Sequence, residues 1–209
     1  MPKIVDHQQR KEELAEAAWR VIRKDGLDGL SVRRVAEEAG MSLGSLRHYF
    51  PTQDELIAFS MRLISERANA RIDRLPFNGQ PYHDMMLVLA ELVPLDEERL
   101  SEAEVWLAFS GKAVSDPVIR ELSREVFDSL YSGFRRSLER LIAHKLTREG
   151  VDAGLETRRL HALVDGLVVH LATFPEHLGR EDVMQVISYH LQSILKDAAA
   201  GAPQPSATN

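Results

Sequence analysis

The chain has 209 residues, 44% of them hydrophobic, with no cysteine and a formal net charge of −6. That much apolar sequence can fill a real core in one large or two small domains. The lack of cysteine excludes a disulfide framework and thiolate chemistry, and no run approaches 18 uninterrupted apolar residues, the signature of a membrane span. The acidity is uneven: residues 1–50 hold nine Lys/Arg against eight Asp/Glu, and the remainder holds 17 against 24. A locally basic N-terminal face is therefore compatible with an acidic total.

The start, MPKIVDHQQRKEEL, has no apolar signal region, so a cytoplasmic location is expected. Residues 1–7 read as a loose arm carrying Lys3. From Gln8 to Lys24 the apolar positions Leu14, Ala18, Val21 and Ile22 mark one side of a helix, with Trp19 beside them as core or rim packing. Gly26 stops that helix, and Leu27 and Leu30 are expected to pack back on a small core. Arg10 and Lys11 can touch phosphate, but scattered cations are more often solvated surface.

Ser31 to Tyr49, SVRRVAEEAGMSLGSLRHY, reads as two short helices around a tight turn. Ser31 is placed to cap the first helix, whose apolar face is Val32, Val35, Ala36 and Ala39. Gly40 is suited to the left-handed residue that ends it, Met41 plugs the turn, and Ser42 caps the second helix. Leu46 and Phe50 continue inward. The leading end, Leu43-Gly44-Ser45, is small enough for close approach to DNA, while Arg47 can pair with guanine or phosphate and His48 and Tyr49 can donate to phosphate. This is the layout of a helix-turn-helix, although an ordinary αα-hairpin with a polar surface gives the same spacing. Ser31, Arg33, Arg34, Ser42, Leu43, Gly44, Ser45, Arg47, His48, Tyr49 and Thr52 are the candidate DNA-binding residues.

The run from about Gln8 to Leu63, above all AAWRVIRKDGLDGLSVRRVAEEAGMSLGSLRHYFPTQDEL, resembles the N-terminal domain of the TetR family of bacterial transcriptional regulators. The matching features are a first helix ending at Gly, a hydroxyl residue opening the second, the AG-M-S turn, the HYF close and an immediately capped fourth helix. The resemblance implies double-stranded operator DNA as partner. Two positions depart from it: relatives often have Tyr where this chain has Arg47, and commonly Lys where it has Gln53. The first puts any carry-over of base preference in doubt, and the second removes a backbone contact.

After Pro51, Thr52-Gln53-Asp54-Glu55 reads as a capping box. It opens a helix with Leu56, Phe59, Leu63 and Ile64 that can reach Leu75 before Pro76. PFNGQP (76–81) is a loop, Met85, Leu89 and Leu92 mark the next helix up to Pro94, and residues 97–114 form another around Val105, Trp106 and Phe109. Asp116-Pro117 is a cap followed by Pro at the first helical position. The long helix after it, with Phe127, Leu130, Tyr131, Phe134 and Leu138, is predicted to run to about Arg148 and stop at Gly150. Two further stripes follow, Leu160, Leu163, Val164, Leu167, Val168 and Leu171, then Val183, Met184, Ile187, Leu191 and Ile194. No strand-like alternation stands out, so the fold class is all-α, about nine helices. The expected division is a helix-turn-helix domain at 1–51, a helical effector-binding and dimerisation domain at 52–197, and a disordered tail at 198–209.

The last two stripes fit either the intrachain core or a partner. A lone helix-turn-helix reads too few base pairs to be selective, which favours a symmetric homodimer. The TetR resemblance implies the same, through a bundle of the final two helices. Leu160, Leu163, Val164, Leu167, Leu171, Met184, Ile187, Leu191 and Ile194 are the candidate interface. The C-terminal two-thirds resembles the BetI-like branch in EVWLAF (104–109), SDPVIREL (115–122) and LVDGLVVHL (163–171). This implies a pocket among the middle helices for an unidentified small-molecule effector. Candidate walls are Met86, Leu89, Trp106, Phe109, Phe127, Tyr131 and Phe134, with His170 as polar contact, though such residues also build ordinary cores.

No metal, cofactor or enzymatic activity is expected. The histidines form no HExxH pair, and there is no nucleophile elbow, Walker loop or Rossmann fingerprint. Glu37-Glu38 and Glu97-Glu98 diverge on their helices as solvated surface. The expected function is a ligand-responsive, DNA-binding repressor. The competing readings are an effector-independent activator or nucleoid-type binder, and an all-α small-molecule-binding module that kept only the scaffold.

Overall fold

The structure is a computed structural model that describes residues 7–197. Residue 7 apart, the expected N-terminal arm lies outside the described residues, as does the expected tail at 198–209. Nine α-helices account for the described chain: α1 (His7–Asp25), α2 (Val32–Glu38), α3 (Leu43–Tyr49), α4 (Gln53–Ile72), α5 (Pro81–Glu91), α6 (Glu97–Ala113), α7 (Pro117–Ala143), α8 (Ala153–Thr173) and α9 (Arg180–Ile194). A short 3-10 turn, Leu27–Gly29, separates α1 from α2.

The boundaries follow from local chemistry. Gly26, at φ 72°, ends α1. Asp116 accepts hydrogen bonds from the Val118 and Ile119 amides at 2.9 and 3.2 Å, and Pro117 takes the first helical position, where its missing N–H costs nothing. Asp152 caps α8 by accepting from the Leu155 amide at 2.7 Å. The expected capping box at Thr52 takes a different form. Its hydroxyl accepts from the Glu55 amide and donates to the Glu55 carboxylate, both at 3.2 Å.

Two predicted ends are corrected. α4 stops at Ile72, and its last turn tightens as the Leu75 amide bonds to the Ile72 carbonyl at 3.1 Å. α7 stops at Ala143 rather than near Arg148. Lys145 takes the left-handed conformation (φ 56°), and the Lys145 and Leu146 amides close on the Ile142 and Leu141 carbonyls. The chain beyond then makes an antiparallel bridge, Thr147 with Leu195, flanked by Arg148 N–H to Ile194 C=O and Lys196 N–H to Leu146 C=O at 2.9 Å each.

The chain divides into two compact units, and α4, α6 and α7 contribute residues to both. In the first (residues 7–70 and 100–126), Leu14, Ala18, Ile22, Leu46, Phe50 and Leu56 share one buried core with Val105 and Phe109. Trp19 is core, 4% exposed, with its indole N–H donating to the Ser60 carbonyl at 3.0 Å and the Arg67 guanidinium 5.1 Å from its ring. Phe50 lies 5.3 Å from Phe59, and Lys11 covers both rings. The second unit (71–99 and 127–197) buries Leu89, Phe134 and Leu138 together with Leu160, Val164, Ile187 and Leu191. Within it, the Tyr82 hydroxyl donates to Ser188 at 2.8 Å, joining α5 to α9. Arg99 bonds the Ala90 carbonyl at 2.6 Å and pairs with Glu91 and Asp96, holding α6 to α5.

Phe50→Ala removes a buried ring next to the third helix and is expected to cost about 3–5 kcal/mol in urea unfolding; a loss below about 1 kcal/mol would mean the site collapses freely. Burial, and second the Arg159 charge, push the imidazole of His190 down to about 4 from its ordinary 6.5. The unfolded chain therefore takes up this proton first, and stability present above about pH 6.5 is lost as pH falls to about 4. His190→Leu is expected to flatten the denaturation midpoint across that window, whereas an unchanged slope would assign the titration to another group.

Candidate nucleic-acid interface and effector pocket

α2 and α3 are joined by hydrogen bonds that set their angle. The Ser31 hydroxyl accepts from the Arg34 amide at 3.2 Å to start α2. At its end Gly40 is left-handed (φ 64°); its amide bonds the Glu37 carbonyl at 3.1 Å, and the Met41 amide bonds the Ala36 carbonyl at 2.9 Å. This double closure is the Schellman arrangement, with Met41 as the apolar residue packed on the core beyond it. The Ser42 hydroxyl then accepts from the Ser45 amide at 3.1 Å and shares a proton with the Ser45 hydroxyl at 2.8 Å.

With Leu46 fully buried, α3 turns Gly44, Ser45, Arg47 and His48 to solvent; Leu43 and Tyr49 are half-buried, and Ser42 and Thr52 are exposed. Arg47 is exposed and makes no ion pair or hydrogen bond among the described residues. Several other cations of the head are committed to differing degrees. Arg33 pairs with Glu37 at 3.1 Å on an open surface. Arg34 reaches back to Asp25 at 3.0 Å and to the Gly29 carbonyl at 3.3 Å, which makes it a staple of the α1–α2 corner. Arg10 pairs with Glu13, and Lys11 lies over Phe50 and Phe59. His7 is a residue the sequence reading missed: its ring lies 4.8 Å from Tyr49 and 6.2 Å from His48. It stands at the edge of the predicted arm, where no periodicity identifies it.

The pocket candidates separate. Trp106 and Phe109 belong to the first unit, where Phe109 is fully buried in the core. In the second, Leu89 and Phe134 are buried, Met86 and Tyr131 half-buried, and Phe127 47% exposed. His170, the expected polar contact, is exposed. The buried histidine of α8 is His161, 4% exposed, with ring centroids 4.4 Å from Phe127, 5.7 Å from Phe134 and 6.3 Å from Tyr131. Its Nε2 lies 3.8 Å from the Asp165 carboxylate. Burial pushes the His161 imidazole down against the opposing pull of Asp165, and pushes Asp165 up against the pull of His161. The signal in the sequence was its helical spacing from Val164 and Val168, both buried.

The candidate dimer residues are largely occupied within the chain. Leu160, Val164, Leu167, Leu171, Ile187, Leu191 and Ile194 are buried in one copy, while Leu163 and Met184 are half-buried. The apolar side chains that α8 and α9 leave exposed are Leu155, Val169, Val186 and Tyr189, the last 78% exposed, with Phe174 just beyond α8. No helix among the described residues is long and apolar enough to cross a membrane, and no group of His, Asp or Glu among them could hold a metal ion.

Comparison with known proteins agrees with this geometry along the chain. Residues 14–58 match the family described as bacterial regulatory proteins, tetR family, and residues 81–196 match the BetI-type transcriptional repressor, C-terminal. The chain is 40% identical over 195 residues to the HTH-type transcriptional regulator PksA of Bacillus subtilis (strain 168), covering 93% of this chain and 94% of that one. It is 28% identical over 199 residues to the HTH-type transcriptional regulator BetI of Vibrio vulnificus (strain YJ016), covering 93% and 97%. The crystal structure of a transcriptional regulator from Rhodococcus sp. Rha1 superposes with a TM-score of 0.74 at 32% identity, covering 88% of this chain and 97% of that one. The chain belongs to the TetR family of bacterial transcriptional regulators, with a helix-turn-helix head that binds DNA and a C-terminal part of the BetI type.

Proposed function

We propose that the chain acts in the cytoplasm as a homodimeric repressor, released from operator DNA by a small molecule. Its functional division follows residue 51, with DNA binding before it and effector binding and dimerisation in 52–197. Arg47 carries the reading: an exposed guanidinium, unpaired among the described residues, on a capped helix whose leading end is Leu43-Gly44-Ser45. That chemistry suits base edges in a major groove. Ser42, Ser45, His48, Tyr49 and Thr52 are assigned to phosphate, with Ser31 and Arg33 at the periphery and Arg34 as a positioning residue.

Dimerisation is assigned to α8 and α9. Leu163 and Met184, together with Val169, Val186 and Tyr189, leave apolar surface that a second copy would remove from water. Two heads so joined would read half-sites roughly 34–36 Å apart on one DNA face. An effector that binds better to a different head separation shifts the population away from the DNA-bound form. Aromatic and apolar residues of the second unit, Phe127, Tyr131, Phe134, Met86 and Leu89, supply the pocket walls in this reading, while Trp106 and Phe109 stay with the core of the first unit.

The decisive experiment is selection of binding sites from random duplex DNA, followed by affinity measurements across salt concentrations. A palindrome with half-sites about one turn apart is expected; no enriched sequence, with only weak salt-sensitive binding, would refute a sequence-specific dimer. Arg47→Ala is expected to cost about 1–3 kcal/mol on the selected site and to relax choice at one base position. Equal losses on all sequences would instead make Arg47 a phosphate contact. Gln53→Lys is expected to tighten binding to every sequence and steepen the salt dependence by about one unit in the log–log slope. An unchanged slope would mean that the start of α4 does not meet the backbone.

A further inference from the structure

We propose that His161 is the polar anchor of the effector site, and that the ligand is a planar aromatic compound whose hydroxyl donates a hydrogen bond to its Nδ1. This rests on the effector-controlled reading above and adds the ligand's chemistry. Four observations within the second unit carry it. The imidazole is 4% exposed, yet no donor among the described residues reaches Nδ1, which is itself buried. Native structures seldom keep a buried polar atom unmet without a use for it. Nε2 faces the Asp165 carboxylate at 3.8 Å, one helical turn on. A carboxylate on that side favours the tautomer with the proton on Nε2, which leaves Nδ1 as a lone-pair acceptor.

The surroundings select the rest of the ligand. Phe127 lies 4.4 Å from the imidazole and Phe134 meets it edge-on at 5.7 Å. Phe127 and Tyr131 present nearly parallel rings, 9° apart in orientation. A flat aromatic compound can stack against such faces. Phe127 is 47% exposed and the Asp165 side chain 46% exposed, so two of the side chains around the buried imidazole reach solvent. Burial also favours the neutral imidazole that this arrangement needs.

The test uses the full chain with two matched probes, 2-naphthol, which carries the donor, and 2-methoxynaphthalene, which lacks it. Calorimetry is expected to show one 2-naphthol per chain, bound about tenfold or more tightly than the ether, since the ether leaves Nδ1 unmet. In protein labelled with 15N-histidine, the Nδ1 resonance of His161 is expected to shift on 2-naphthol addition alone. His161→Leu keeps the apolar volume and should abolish the preference, while His161→Gln, whose side-chain carbonyl can accept, should retain part of it. Absence of binding, equal affinities for the two probes, an unmoved Nδ1 resonance, or a preference that survives His161→Leu would each overturn the proposal. If His161→Leu fails to fold, the wild-type resonance decides. Operator affinity measured alongside separates the two readings. A preference seated on His161 with unchanged operator affinity supports the site and counts against effector control. Operator release by other compounds, without any naphthol preference, overturns the site and leaves effector control standing.

Discussion

The left-handed turn at Gly40 is the constraint on which the DNA-facing surface depends. A residue with a Cβ is strained at φ 64°, and glycine is not. Once the chain takes that conformation, the Gly40 and Met41 amides close on α2, Met41 is delivered to the core, and Ser42 arrives where it caps α3. Leu46 then points inward and Arg47 outward as a geometric consequence. Few atoms are involved, but they convert a sequence of small residues into a rigid presentation of the exposed Arg47 guanidinium.

The head does not hold this geometry alone. A three-helix segment of about 50 residues buries little surface for its size, and here its core continues through Leu56, Met61 and Leu63 of α4 into Val105 and Phe109 of α6. Ion pairs repeat the connection at the rim: Arg23 with Glu104, and Lys112 with Asp28 at 2.6 Å. These pairs are partly exposed and worth little each, so buried apolar area is the main stabiliser and the ion pairs fix register. The unit that packs together is thus larger than the segment that meets DNA.

Much of this was legible from residue order, because caps and turns are local. Ser31, Gly40, Ser42 and Asp116-Pro117 each announce an element by chemistry completed within four residues. The end of α7 was not legible: nothing nearby disfavours helix at Lys145, and what replaces it is a pairing with residues some fifty positions on. Arg34 and Arg47 look alike as letters, and only the fold brings Asp25 and Gly29 to one of them. His170 and His161 differ by nine positions on one helix, and periodicity alone does not say which side of a wide apolar stripe meets the neighbouring aromatic rings. The same width hid the division of α8 and α9 between inner core and outer face. Stripe width reports total burial, without apportioning it between the chain and a second copy.

The bridge between Thr147 and Leu195 closes a long loop. Leu146 and Arg148 share hydrogen bonds with Lys196 and Ile194, and the Arg148 guanidinium adds bonds to the Gln192 carbonyl and the Asp197 carboxylate at 3.2 and 3.0 Å. The α8–α9 hairpin is therefore fastened where it begins and where it ends. Fraying from the C-terminal side, the ordinary weak point of a last helix, must first break this clasp. The expected consequence is opening of the hairpin as one cooperative block, with amide exchange at a shared rate rather than in a gradient along α9.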